Sequence, residues 1–407
     1  MSGANRHEID TNASPTRGGM FHSVPEGGLR APIPGAGPGA RHLYVHLPFC
    51  AHRCGYCDFV TVIGRDGGHG AYVDALLAEL ELERGLLADP VETVFLGGGT
   101  PTVTEPAALA RLLAGLPRAA ETTVEANPET FDPGLAALLR EHGVNRISLG
   151  AQSFQAHLLE TLERRARPEE VRAAVRTLRE AGFDNVSLDL IYGIPGQSVA
   201  DLEHDLAEAI ALEAEHLSWY ELEAKPGTRF THAYGKELAR QADAMEDYFE
   251  RVVEALTGAG YRWYETANFC REQDGRDLRA HHNLGYWLGR DYLGIGIGAV
   301  STVAGARWRN APSLPRYLAS LQRGERPARE LEPLDPTVQA RERVLLGLRL
   351  DEPLPLVGLA AAVDPAALER LERLGLAKTS AGGSEVALTR RGRFLGGGVT
   401  AELLTDG

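Results

Sequence analysis

Three cysteines fall within eight residues, Cys50, Cys54 and Cys57, while a fourth, Cys270, stands alone. Thiols three and four positions apart read as metal ligands rather than disulfide partners, because a chain of 407 residues needs no covalent staples. Two metals suit the triplet. Three thiolates can grip one [4Fe–4S] cube and leave one iron without a protein ligand, open to something exchangeable. A structural zinc normally takes four ligands, and His46 or His52 could supply the fourth. Free thiols this crowded would be prone to oxidation, which disfavours leaving them unliganded. Cys270 reads as a buried thiol ahead of a covalent attachment site.

The elements that must position the triplet alternate in period. Residues rich in β-branched, aromatic and leucine side chains occupy 41–47, 91–96, 122–125, 144–149, 185–191 and 216–222. Helix-period segments lie between and after them at 71–87, 107–116, 134–142, 168–181, 199–212 and 242–259. Six β-then-α units with right-handed crossovers make a partial barrel or an open doubly wound sheet. Each β-run is followed by a conspicuous cluster: Cys50 after the first, Gly97-Gly98-Gly99-Thr100-Pro101 after the second, then Glu125-Ala126-Asn127-Pro128, Gly150-Ala151-Gln152, Asp189 through Gly196, and Glu221 with Glu223. Chemistry in parallel α/β folds gathers at the carboxyl ends of the strands, so these clusters are expected on one rim. The glycine run taken alone marks a tight turn, and Glu125 or Asp189 taken alone could cap a helix.

The boundaries follow the same signals. Residues 1–40 hold eight Gly and five Pro with little apolar periodicity and are expected to form a disordered tail. The partial barrel is expected over 41–270, an extension over 271–332, and a small winged-helix-like α+β domain over 333–407, where Gly382-Gly383 signals a hairpin. From Leu331 onward that last domain has nine Lys and Arg against eleven Asp and Glu, and the whole chain carries a net charge of −14. Nucleic acid is therefore excluded as the expected partner. Hydrophobic residues at 43% and charged residues at 24% describe a folded chain. With neither an export signal nor a run long enough to span a bilayer, the expectation is a cytoplasmic protein with at most peripheral membrane contact.

The segment from Tyr44 to Cys57, YVHLPFCAHRCGYC, resembles the cluster loop of the radical S-adenosylmethionine superfamily, with Tyr56 as the aromatic before the last cysteine. The resemblance continues through FLGGGTPT at 95–102, EANP at 125–128, SLGAQSF at 148–154, SLDLIYGIPGQ at 187–197, YETANF at 264–269, HNLGYW at 282–287 and YLGIGIGA at 292–299. It is closest to the HemW-type heme chaperones of the coproporphyrinogen oxidase-like group. It implies a [4Fe–4S] cluster on Cys50, Cys54 and Cys57, with the amino and carboxylate groups of S-adenosylmethionine on the open iron. By the same resemblance, Tyr44, Tyr56, Gly98, Gly99, Thr100, Glu125, Gln152, Arg164 and Asp189 contact S-adenosylmethionine.

The related porphyrinogen oxidases carry a further cysteine two positions beyond the last cluster ligand, where this chain has Phe59. That favours the chaperone branch over a radical S-adenosylmethionine oxidoreductase acting on a porphyrinogen, which is the alternative. HNLGYW implies heme contacts from His282, Asn283, Tyr286 and Trp287, although such a segment alone more often forms a hydrogen-bonded core element. Two family histidines are replaced, by Ala166 and Val300. The implied partners are heme and a heme-acceptor protein, with a respiratory enzyme one candidate and a homodimer the candidate assembly. A chaperone rather than a turnover enzyme is the reading, so no catalytic residue is assigned.

Overall fold

The computed structural model describes residues 22–23, 39–63, 68–223, 225, 228–273 and 275–405. Six parallel strands lie side by side in chain order: β1 (His42–Leu47), β2 (Val91–Gly98), β3 (Ala119–Ala126), β4 (Arg146–Gln152), β5 (Val186–Tyr192) and β6 (His216–Glu221). Crossover helices α1 (His69–Glu83), α2 (Pro106–Gly115), α3 (Pro133–Glu141), α4 (Pro168–Glu180) and α5 (Val199–Ala211) join them. This is the expected partial (β/α)6 barrel. Period-2 alternation divides each strand's side chains. One set, including Leu43, Val45, Val94, Leu96, Val124, Ile147, Leu149, Leu188 and Leu190, packs under the helices in the main core. The other set is largely polar, and Thr93, Thr123, Arg146, Ser148, Ser187, His216 and Ser218 are buried on the inner, or lumen, side of the barrel.

Flanking strands extend the sheet on both sides. Beside β6 lie β7 (Tyr261–Trp263) and β8 (Asn268–Arg271), antiparallel to their neighbours. After the short helix α6 (His281–Trp287), strand β9 (Tyr292–Ile295) returns to the opposite edge and pairs parallel with β1. The segment over 271–332 therefore closes the first-strand side of the barrel. Its seat is a buried carboxylate on α1: Glu79 accepts from Gly296 N at 2.8 Å, Asn310 Nδ2 at 2.7 Å and Tyr317 Oη at 2.6 Å. Most of the expected tail lies outside the described residues, but His22–Ser23 pairs antiparallel with Arg329–Pro333, and Ala40 is fully buried.

The C-terminal part begins where Asp335 caps the helix Pro336–Gly347, accepting from Thr337 N and Val338 N. It contains a three-stranded sheet of Leu354–Pro355, Ala377–Thr379 and Glu385–Leu388, one strand more than the hairpin signal gives, and a core of its own around Val344, Leu371, Val386 and Leu403. It docks on the barrel through a bidentate Arg262–Asp351 pair at 2.8 and 2.9 Å and through Arg349–Glu265 at 2.6 Å. No helix among the described residues is long and apolar enough to cross a membrane.

Candidate cluster and cofactor site

The cysteine loop is pinned at its base. Phe49–Cys50 runs parallel to Val62–Ile63, and Val62 N donates to Pro48 O at 2.8 Å, so the loop leaves and re-enters the barrel at one point. The glycine run holds it from the other side: Gly99 N donates to Leu47 O and Thr100 N to Phe49 O, both at 2.8 Å. A Cβ on Gly99 would lie 2.6 Å from the Pro48 carbonyl carbon, and Gly98, at φ +114°, has the His46 ring 2.5 Å from where its Cβ would be. The run is thus the clamp that fixes the loop, which is more than a tight turn requires.

All three thiols are half-buried and face one another closely enough to interact electrostatically. Cys50 Sγ lies 3.6 Å from Thr100 Oγ1, and Arg164 Nη1 approaches Cys54 Sγ at 3.9 Å. Arg164 is held by Asn127 Oδ1 at 2.8 Å and Gly150 O at 3.0 Å. Burial raises the Cys50 thiol and pushes Cys57 up to about 11. Binding to metal must therefore displace protons at Cys50 and Cys57. Neither candidate fourth ligand for zinc is free: His46 bonds Tyr44 Oη at 3.0 Å and Val60 O at 2.9 Å, and His52 Nε2 bonds Glu163 O at 2.7 Å. Among the described residues no His, Cys, Asp and Glu group is spaced for a single metal ion. The nearest imidazole, His52, reaches 3.7 Å from Cys54 Sγ but is committed to a backbone carbonyl, so three thiols without a ready fourth ligand fit a cube better than a tetrahedral ion.

Below the thiols, Glu125 accepts from Gly98 N at 3.0 Å, and burial with the neighbouring Asp189 raises its carboxyl to about 7. Asp189 accepts from Ser148 Oγ at 2.9 Å and Ser187 Oγ at 3.4 Å and is also raised, chiefly by burial. Gln152 takes φ +64° at an irregularity in the β4–β5 pairing. Both carboxylates face the lumen and neither caps a helix; Asp132 and Ser198 cap α3 and α5. Tyr44 stacks on Phe95, and Tyr220 lies 42% exposed near the end of β6.

HNLGYW forms α6 across the bottom of the lumen. His282 is 1% exposed and both ring nitrogens are occupied, Nδ1 with Thr93 Oγ1 at 2.8 Å and Nε2 with Tyr286 Oη at 2.9 Å. Its ring stacks on Phe95, and burial holds its pKa down at about 3. Glu121 accepts from the backbone N–H of His281 and His282, both at 3.1 Å, anchoring the helix start. Tyr286 faces the lumen side, whereas Trp287 lies under Arg349, 4.6 Å from its ring centroid, toward the C-terminal part. Asn283 is half-buried between them. The motif's four side chains therefore do not share one surface. Cys270 is buried beside Tyr264 and Leu284, its thiol pushed up to about 12 by burial.

Of the further lumen residues, Phe95, Ser148 and Ser187 open the stretches FLGGGTPT, SLGAQSF and SLDLIYGIPGQ, whereas Arg146 lies outside all of them and only its shared parity with Ser148 could have flagged it.

Residues 44–209 match the radical SAM superfamily. The chain is 38% identical over 390 residues to the heme chaperone HemW of Mycobacterium tuberculosis, covering 92% of this chain and 96% of that one. It is 33% identical over 381 residues to HemW of Bacillus subtilis, covering 89% and 99%. Among solved structures it superposes on the coproporphyrinogen III oxidase HemN of Escherichia coli with a TM-score of 0.76 at 25% identity, over 90% of this chain and 91% of that one. The cysteine loop, the glycine clamp and the lumen carboxylates all lie in a chain that belongs to the HemW heme chaperone family of the radical SAM superfamily.

Proposed function

We propose that this protein carries a [4Fe–4S] cluster on Cys50, Cys54 and Cys57, holds S-adenosylmethionine across the barrel mouth, binds heme as cargo, and passes that heme to an acceptor protein. The superfamily implies the cluster and S-adenosylmethionine, and the relatives' names supply the cargo. The observation that carries the reading is the mouth itself: three half-buried thiols clamped by the glycine run, with Arg164 beside Cys54 and two carboxylates just below. When bound, the cluster supplies an iron site for the amino and carboxylate groups of S-adenosylmethionine and a low-potential electron. The chain's own contributions are positional and electrostatic. Thr100 and Arg164 orient the thiols, Glu125 and Asp189 offer acceptors to amino or hydroxyl groups, and Gly98, Gly99, Tyr44, Tyr56 and Gln152 shape the surroundings.

In this reading heme lies in the lumen against Tyr286 and the Tyr44–Phe95 pair. His282 serves there as the anchor of Tyr286, because both its nitrogens are occupied in this packing. The second reading, an oxidoreductase acting on a porphyrinogen, draws on the HemN likeness. Phe59, 62% exposed, occupies the position of the additional thiol. Anaerobic reconstitution followed by hemin titration tests the leading reading. Iron and sulfide loading, a Soret shift on titration and transfer of heme to an apo-acceptor are expected. Iron retained in a Cys50→Ala/Cys54→Ala/Cys57→Ala variant would remove the cluster assignment, and a loaded protein with no Soret change would remove heme. Porphyrinogen-dependent release of 5′-deoxyadenosine would promote the second reading.

A further inference from the structure

Arg146 opens β4 at 2% exposure, yet among the described residues its side chain makes no hydrogen bond or ion pair, and Nε is fully enclosed. A guanidinium has five N–H donors and no acceptor, and enclosing one without partners is costly. Its register partner on β3 is Thr123, fully buried, whose hydroxyl is likewise unpartnered. Two adjacent donors on the inner face thus lack an acceptor.

The guanidinium lies within the lumen, because its charge acts on Glu125 and Asp189 toward the mouth and on His216, His282 and Tyr264 toward the floor. None of those groups takes its hydrogen bonds. Glu125 is turned to Gly98 N and Asp189 to Ser148 and Ser187. His216 bonds Ser187 Oγ and Tyr264 Oη at 2.8 Å each, and His282 bonds Thr93 and Tyr286. Water can fill such a gap but leaves the charge unpaired, whereas a carboxylate pairs with guanidinium in a bidentate fork.

We infer that the lumen floor is a carboxylate-binding spot in which Arg146 and Thr123 donate to a carboxylate of the bound cargo. The inference rests on the heme reading, since heme brings two propionates. S-adenosylmethionine also has a carboxylate, but Gln152 and the cysteine loop sit at the other end of β4, about 20 Å along the strand.

Full-length, cluster-reconstituted wild type, Arg146→Gln and Thr123→Val are titrated with hemin, with hemin dimethyl ester, and with S-adenosylmethionine. Arg146→Gln is expected to weaken hemin binding about tenfold to a hundredfold while leaving the ester within about threefold of wild type. Thr123→Val, nearly isosteric, is expected to show the same selectivity with a loss of about threefold to tenfold, and it carries the test if Arg146→Gln does not fold. Hemin and ester weakened equally, or neither weakened, would overturn the inference and leave the heme reading standing. Loss confined to S-adenosylmethionine would assign the carboxylate to that ligand and overturn the cargo assignment. A wild type that binds neither porphyrin sinks the heme reading and this inference together.

Discussion

Two motif sites built on the same six strands, the cysteine loop at the mouth and His282 on the floor, treat their polar groups in opposite ways. At the mouth, Cys50 and Cys54 have only long contacts of 3.6 to 3.9 Å to Thr100, His52 and Arg164, Cys57 meets the backbone at Phe59, and all three remain half-buried. On the floor, His282 has both nitrogens bonded, a ring stacked on Phe95 and 1% exposure. Groups left unsatisfied at an accessible edge are held ready for something from outside, whereas satisfied buried groups hold the fold in register. Motif residues of the same family pattern can thus belong to different physical classes. The cysteines are receiving groups, and His282 is a strut that sets Tyr286.

The largest effect expected is at the clamp. Gly99→Ala places a methyl 2.6 Å from backbone at Pro48, where no flexible side chain can yield, so the glycine run or the cysteine loop must move. A loss of about 3 kcal/mol or more in chemical denaturation is expected, together with poor cluster loading. Normal loading at unchanged stability would show that the mouth is less rigid than the comparison requires. Next comes His282→Ala, which orphans the buried hydroxyls of Thr93 and Tyr286 and leaves a cavity. A loss of about 2–4 kcal/mol is expected, with the Soret maximum of bound heme unmoved. A displaced Soret maximum, with stability retained, would make His282 an iron ligand and erase the distinction between mouth and floor.

Much of this was legible in the sequence, for reasons that also set the limits. The six parallel strands coincide closely with the runs of β-branched and aromatic residues, because each strand's outward set is continuous with the core under the helices. The rim residues were legible because strand ends and clustered Cys, Gly and Pro mark turns that only chemistry or tight packing explains. What alternation could not reveal was partnership. Nothing in HNLGYW says that Thr93, 189 positions away, completes the imidazole, or that Trp287 turns toward Arg349 instead of joining Tyr286. Arg146 is hidden for the converse reason: an arginine in a strand usually signals a solvated edge, and only the closed lumen makes its lack of partners conspicuous. The return of Tyr292–Ile295 to pair with the first strand is likewise a long-range choice that no local pattern encodes.

Glu125 at the mouth and His282 on the floor titrate with opposite sign. Glu125 has its carboxyl raised from 4.5 to about 7, so the folded state binds a proton that the unfolded state has already lost between those values. Its contribution to stability therefore falls as pH rises through that window. His282, lowered from 6.5 to about 3, is neutral when folded, and its contribution is present above about 6.5 and falls as pH drops below it. Glu125→Gln should accordingly raise the melting temperature relative to wild type at pH 7.5 and lose that advantage at pH 4.5. His282→Asn should be most destabilising at pH 7.5 and less so at pH 5. Parallel pH profiles for the two variants would show that the two sites do not differ in the way their burial implies.

The smallest expected effect tests whether the mouth carboxylates are held by hydroxyls or by charge. Ser148→Ala removes the 2.9 Å donor to Asp189, leaving the hydroxyls of Ser187 and Ser218, in a layer where Arg146 acts only at a distance. A carboxylate that loses a hydrogen bond to its ionised form becomes harder to ionise. Stability at neutral pH is expected to fall by about 1 kcal/mol, shrinking toward zero below about pH 3, where Asp189 is protonated in both the folded and unfolded states. S-adenosylmethionine binding should shift to higher pH without a change in its plateau, measured by equilibrium binding across pH 5.5–8.5. An unshifted profile would mean that Arg146 and the remaining hydroxyls outweigh Ser148 in setting the Asp189 charge, and a further loss of the pH dependence in Arg146→Gln would then tie the mouth electrostatically to the floor as one coupled site.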